Sequence, residues 1–208
     1  MKNSFVLKFV FAIAAVVFVG GGGILFAEFN LRTSIDVSGE IESKSPGYSH
    51  YNHTDDVDTS FTLSGDYLRS IGGLGNYLKI GGGFEVMVPR IRTSNNKEYD
   101  GEAFFFMPLY LSLQTNPVQP VPELFFRFNL GYNIVYLDDY SASYWDKKGG
   151  VYYAFVTGWE FPFGLFFDVT YAFYNASLES SRAINKFDIT YNRLGIGVGY
   201  KFGRPRNS

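Results

Sequence analysis

Apolar and polar residues alternate along most of this chain, with a period of two that recurs in eight segments. Over 28–38, Phe29, Leu31, Thr33, Ile35 and Val37 share one face, and Asn30, Arg32, Ser34 and Asp36 share the other. In 59–68, Phe61, Leu63 and Tyr67 oppose Thr62, Ser64 and Asp66; in 76–88, Leu78, Ile80, Phe84, Val86 and Val88 oppose Lys79, Gly81, Gly83 and Glu85. In 102–114, Phe105, Met107, Leu109, Leu111 and Leu113 lie together. In 123–136, Phe126, Phe128, Leu130, Tyr132, Ile134 and Tyr136 oppose Arg127, Asn129, Gly131 and Asn133. The segments 150–160, 165–175 and 189–202 repeat the pattern, with Glu160, Asp168, Arg193 and Lys201 on their polar faces. Successive side chains of a strand point to opposite sides, so this alternation predicts eight two-faced strands. Each is about ten residues or longer, the length of a tilted strand crossing a bilayer.

The connections follow a second alternation. Those at 39–58, 89–101, 137–149 and 176–188 are long and polar, and those at 69–75, 115–122 and 161–164 are short and rich in Gly or Pro. Loops at one end and turns at the other predict an all-β, eight-stranded antiparallel up-and-down barrel. An even strand count puts both ends of the chain on the turn side.

The charges decide which face is outside. The apolar faces carry no Asp, Glu, Lys or Arg in the strand interiors. The polar faces carry Arg32, Asp36, Asp66, Lys79, Glu85, Arg127, Glu160, Asp168, Arg193 and Lys201, five of each sign. Ten charges in the core of a small soluble barrel would be prohibitive unless all were paired. In a transmembrane barrel the apolar face meets lipid and the charges pair in the lumen. Trp159, Phe161, Tyr200 and Phe202 then mark the turn-side interface, and Tyr136, Tyr153 and Phe173 the loop-side one.

Composition removes the alternatives. Of 208 residues, 19% are aromatic and 18% charged, which excludes disorder. The lack of cysteine excludes a disulfide scaffold, and a formal charge of −2 gives no basic excess for nucleic acid. Lys2 and Lys8 flank a start followed by an apolar or glycine run from Phe9 to Ala27, which reads as an export signal. The expected organisation is a signal peptide over 1–27, a transmembrane barrel over 28–202 and a short tail over 203–208.

The final stretch, Arg193-Leu194-Gly195-Ile196-Gly197-Val198-Gly199-Tyr200-Lys201-Phe202, together with the export signal and eight strands, resembles small bacterial outer-membrane barrels of the OmpA transmembrane, OmpX and OmpW types. Their last strand carries an assembly signal of the form polar-x-Gly-x-x-apolar-x-aromatic. Arg193, Gly195, Val198 and Tyr200 match one register; Gly197, Tyr200 and Phe202 match the next. The family usually ends on the aromatic, whereas Gly203–Ser208 follows here. The resemblance implies a Gram-negative outer membrane, surrounding outer-membrane lipid, insertion by the barrel-assembly machinery and a monomer.

Candidate chemistry is sparse. His50 and His53, with Asp55 and Asp56, could hold a divalent metal, but their spacing in a polar loop fits a solvated surface better. Ser49 beside a histidine is the one base–nucleophile pair, and no complete triad is visible. No cofactor is expected. Met87, Phe104, Phe106, Val135, Tyr152 and Tyr174 face inward on the loop side, so an aromatic vestibule is expected above the charges. Among the charges, Asp36 and Arg193 should come to similar heights on neighbouring strands, Asp66 should lie between the strands that carry Arg32 and Lys79, and Arg127 should sit two strands from Asp168 with Glu160 between them, giving alternating-sign pairs. The expected function is a non-enzymatic surface or structural barrel with a plugged lumen and ligand-contacting loops. A narrow channel for small or apolar solutes, and a lipid-modifying enzyme, are the alternatives.

Overall fold

A computed structural model of the chain describes residues 27–45, 52–71, 77–93, 103–117, 121–138, 145–180 and 186–203. The expected export signal up to residue 26, Ser49, His50 and the tail beyond Gly203 lie outside them. The strands are β1 (Ala27–Lys44), β2 (His53–Val57), β3 (Phe61–Ser70), β4 (Leu78–Met87), β5 (Arg90–Thr93), β6 (Ala103–Thr115), β7 (Leu124–Asp138), β8 (Trp145–Glu160), β9 (Leu165–Ser180) and β10 (Lys186–Phe202).

Eight of these close a barrel in the order β10-β9-β8-β7-β6-β4-β3-β1, with β1 pairing back to β10. Every pairing in the wall is antiparallel. A path perpendicular to the strands leaves β1 at Ser38 and runs through Leu194, Tyr171, Phe155, Phe128, Leu113, Ile80 and Arg69. It returns to β1 at Ala27. Discounting one bulge residue, the stagger is about ten residues, which tilts eight strands by about 40°.

The outer face is a belt of exposed apolar side chains, among them Phe29, Leu31, Ile35, Leu63, Phe84, Leu111, Leu130, Phe155, Val169 and Ile196. From Phe29 to Val37, at about 3.3 Å per residue and a tilt of about 40°, the belt rises about 20 Å, close to the apolar band of an outer-membrane barrel. Aromatic pairs mark its rims. Phe105 stacks on Tyr136 and Tyr153 on Phe173, each with centroids 4.5 Å apart, on the loop side. On the turn side, Tyr200 meets Phe202 edge-on at 4.9 Å, and Phe161 lies 5.5 Å from Phe163. There the chain reverses through Phe161-Pro162-Phe163-Gly164. The Gly164 N–H donates to the Phe161 carbonyl at 3.0 Å, and Gly164 takes φ 98°, which a side chain would resist.

The strands run further towards the loops than the apolar pattern alone indicates. β1 continues to Lys44, β8 begins at Trp145, β9 ends at Ser180 and β10 begins at Lys186. Two expected loops contain strands: β2 within 39–58 and β5 within 89–101. β2 pairs with β1 from Glu40↔Asp56 to Ser43↔His53, and β5 bridges β2 to β6. Above the membrane both faces are wet, so ladder bonds to a formed neighbour hold a strand without apolar alternation. A bulge between Asp36 and Ser38 also reverses the parity of β1, turning Ile41 inward and burying it.

Candidate functional site in the lumen

All ten charged residues expected on the polar faces are buried inside the barrel. The barrel is narrow, so long side chains also reach past the adjacent strand to other parts of the wall. Asp66 lies opposite Asn30 on β1 and Gly83 on β4, neither of which is a cation. Its carboxylate instead accepts from Arg127 across the bore at 2.5 Å, and from the Tyr110 hydroxyl at 2.6 Å. Lys79 does not reach Asp66; it donates to Glu28 at 2.9 Å. Arg127 does not face Asp168 or Glu160. Glu160 pairs with Lys201, and Asp168 with Arg32 at 3.4 Å. Asp36 does meet Arg193, at 2.5 Å.

Two connected networks result. Near the turns, Lys79 and Lys201 share Glu28, and Lys201 also holds Glu160. Gln114 then links Glu160, at 3.0 Å, to Arg127, whose N–H groups donate to its Oε1 at 2.8 and 3.1 Å. Higher up, Glu85 is the hub. It accepts from Arg193 at 2.8 Å, from Arg32 at 3.4 Å and from the Tyr174 hydroxyl. Arg193 donates further to the Tyr174 oxygen at 2.7 Å, and Arg32 donates to Ser64 at 2.8 Å and Thr170 at 3.1 Å. Paired and hydrogen-bonded in this way, buried charges become tolerable.

Sequence reasoning passed over Glu28, Gln114, Tyr110 and Tyr191. Glu28 has the inward parity of Asn30 and Arg32, which was the available signal. The others are uncharged and carry no mark of a role until the register is known.

The expected vestibule is filled. Phe104, Phe106, Tyr152, Tyr174 and Tyr191 are each no more than 2% exposed. Phe106 stacks on Tyr174 at 5.5 Å and on Tyr191 at 5.8 Å, and Phe104 meets Tyr191 edge-on at 5.5 Å. Tyr152 lies 5.0 Å from Tyr174 and 5.4 Å from Tyr110, so the rings run down to the ionic layer. Aromatics fill a narrow bore because each brings a large volume on a stiff side chain. The turn-side half is not purely charged either: Phe125, Val156 and Phe166 form a second apolar cluster there.

One part of the wall is discontinuous. The β4–β6 ladder ends at Phe84↔Leu109 and resumes only where β5 meets β6 at Arg90↔Phe104. Pro108, just above the last pair, has no N–H to donate. In the β2 segment, His53 is in register with Ser43, and Asp55 and Asp56 are successive strand residues whose side chains point to opposite faces. On β10, Gly195 and Gly197 leave room over the strand for Arg193 and Asp168, while Tyr200 and Phe202 face outward at 44% and 48% exposure.

An eight-stranded barrel with a lipid-facing apolar belt and a polar, filled lumen defines the class of small outer-membrane β-barrels. Solved members of that class superpose on it. The chain is similar to OprG from Pseudomonas aeruginosa, with TM-score 0.50, 16% identity, and coverage of 85% of this chain and 96% of that one. It is similar to AlkL, solved in lipid bilayers, with TM-score 0.54 and 19% identity over 85% of this chain and 90% of that one. Ail of Yersinia pestis matches with TM-score 0.50 and 13% identity over 85% and 99%. No protein-family model and no curated protein sequence matches the chain.

Proposed function

We propose that this protein is a non-enzymatic structural and surface-contact barrel, with loops that carry recognition and a lumen that seals the membrane. The observation that carries this reading is the double closure of the bore: paired charges from Glu28 up to Asp36, then stacked rings from Tyr110 up to Phe104. Liposome swelling with small neutral solutes tests it. Vesicles holding the protein should swell no faster than protein-free vesicles; solute-dependent swelling would defeat the reading.

A second reading rests on the interrupted β4–β6 ladder. An interruption of the ladder on the β4 side of Pro108 offers an apolar solute a sideways route to the bilayer. Pro108→Ala restores a donor there, so it should slow transfer of an apolar dye into vesicles. Equal transfer by the wild type, Pro108→Ala and protein-free vesicles would discard this route.

A further inference from the structure

We propose that the tyrosines inside the bore form a path for oxidising equivalents, which draws a radical formed at the loop-side membrane surface into the barrel and holds it on Tyr174 and Tyr110. The oxidant it consumes is a one-electron oxidant of the peroxyl class. Three observations converge on this path.

The first is continuity. Tyr110, Tyr152, Tyr174 and Tyr191 are each no more than 1% exposed. Tyr110 lies 5.4 Å from Tyr152, Tyr152 lies 5.0 Å from Tyr174, and Tyr174 lies 5.5 Å from Tyr191, centroid to centroid. At these separations the ring edges touch, and an electron crosses from one ring to the next without an intervening gap.

The second is a proton acceptor at the right atoms. A phenol that loses an electron becomes a strong acid, so the radical persists only where its proton has somewhere to go. The Tyr110 hydroxyl donates to Asp66 Oδ1 at 2.6 Å, and the Tyr174 hydroxyl donates to Glu85 Oε1. Arg193 Nε donates to the Tyr174 oxygen at 2.7 Å and holds it in place after the proton has left. Packing alone does not call for these hydroxyls, because Phe104, Phe106, Phe125 and Phe166 are buried in the same bore without one.

The third is an entry point. The wall is one sheet thick. The rung Tyr152↔Tyr174 faces inward, and the next rung, Tyr153↔Phe173, faces outward. Tyr153 stacks on Phe173 at the loop-side rim, where both are partly exposed. A phenol at the membrane surface is therefore one residue from the buried path. A peroxyl radical takes a hydrogen atom from the Tyr153 hydroxyl and leaves as a hydroperoxide. The Tyr153 radical then takes an electron from Tyr174 through Tyr152 and a proton from water, which restores its hydroxyl. Tyr174 passes its own proton to Glu85 and remains as a neutral phenoxyl radical. Tyr110 and Asp66 repeat the exchange one step further down.

The test is electron paramagnetic resonance of the full-length folded protein in detergent, frozen after exposure to peroxyl radicals from a water-soluble azo initiator. The wild type should hold a neutral tyrosyl radical that outlives the other radicals of the sample, and a water-soluble paramagnetic salt should leave its saturation unchanged. The double variant Tyr110→Phe/Tyr174→Phe should lose that long-lived signal, and Tyr153→Phe should lose most of it. Tyr132→Phe, on the outer face away from the path, should keep it. Where the double variant does not fold, Tyr153→Phe and the wild-type saturation measurement decide. A wild type without a long-lived radical, or with one that the salt relaxes, would overturn the proposal. So would an undiminished signal in the double variant or in Tyr153→Phe, which would leave the buried hydroxyls as structural hydrogen-bond donors alone.

Discussion

Arg193→Ala should destabilise the barrel more than any single change at the rim. The Arg193 guanidinium holds Asp36 at 2.5 Å, Glu85 at 2.8 Å and the Tyr174 hydroxyl at 2.7 Å, and lies over the Tyr174 ring at 5.7 Å. Truncation would leave Asp36 without this ion-pair partner and Glu85 with only Arg32, at 3.4 Å, as a cation among the described residues. Breaking a buried pair from one side costs about 3–5 kcal/mol, and water entering the vacated space moves the loss towards the lower figure. Lys148 provides the contrast, because it and its partner Glu179 are 46% and 41% exposed and solvent screens them. The assay is urea unfolding in detergent, followed by tryptophan fluorescence. Arg193→Ala should lower the unfolding midpoint clearly, and Lys148→Ala should unfold with the wild type. Indistinguishable midpoints for the two variants would refute the claim that the lumen pairs are dry and coupled.

Phe106→Ala should cost about 3–5 kcal/mol in the same assay, because a ring packed between Tyr174 and Tyr191 leaves a cavity its stiff neighbours cannot close; a loss below about 1 kcal/mol would mean the upper bore is loosely filled. Gly131→Ala should be strongly destabilising, since its Cβ would fall 2.0 Å from the Leu109 carbonyl oxygen, which is backbone and cannot swing aside. Normal folding of that variant would show that β6 and β7 separate there more readily than their ladder indicates. Deleting Gly203–Ser208 should leave insertion intact, while Phe202→Ala should slow it with little change in stability, because Phe202 is 48% exposed and its ring neighbours, Tyr200 at 4.9 Å and Phe29 at 6.2 Å, lie with it on the exposed outer face. Pulse-chase gel shifts in cells read both outcomes, and wild-type insertion kinetics for Phe202→Ala would count against an assembly role.

The wall was legible because a lipid-facing strand must present an unbroken apolar face, and that constraint writes a period of two into Phe29–Val37 or Phe126–Tyr136. The constraint ends at the membrane surface. His53–Val57 and Arg90–Thr93 are strands because neighbours pair with them, and nothing in His-Thr-Asp-Asp-Val announces it. The inward charges were legible as a set, since parity alone assigns them. Their partners were not, because these depend on the stagger around the whole barrel: Asp66 and Arg127 face each other only when β3 and β7 stand on opposite walls. The bulge at Asp36–Ser38 was invisible for a related reason: one unpaired residue reverses the parity of everything beyond it, and Ile41 turned inward where a loop was expected.

The proposed sealing of the lumen is tested most directly by ion current. The full-length protein, purified and reconstituted in a planar lipid bilayer, should give no steady conductance steps above the bare membrane, because charge pairs and stacked rings fill the bore from Glu28 to Phe104. Stable open levels that scale with salt concentration would contradict the account and make the charged lumen a pore.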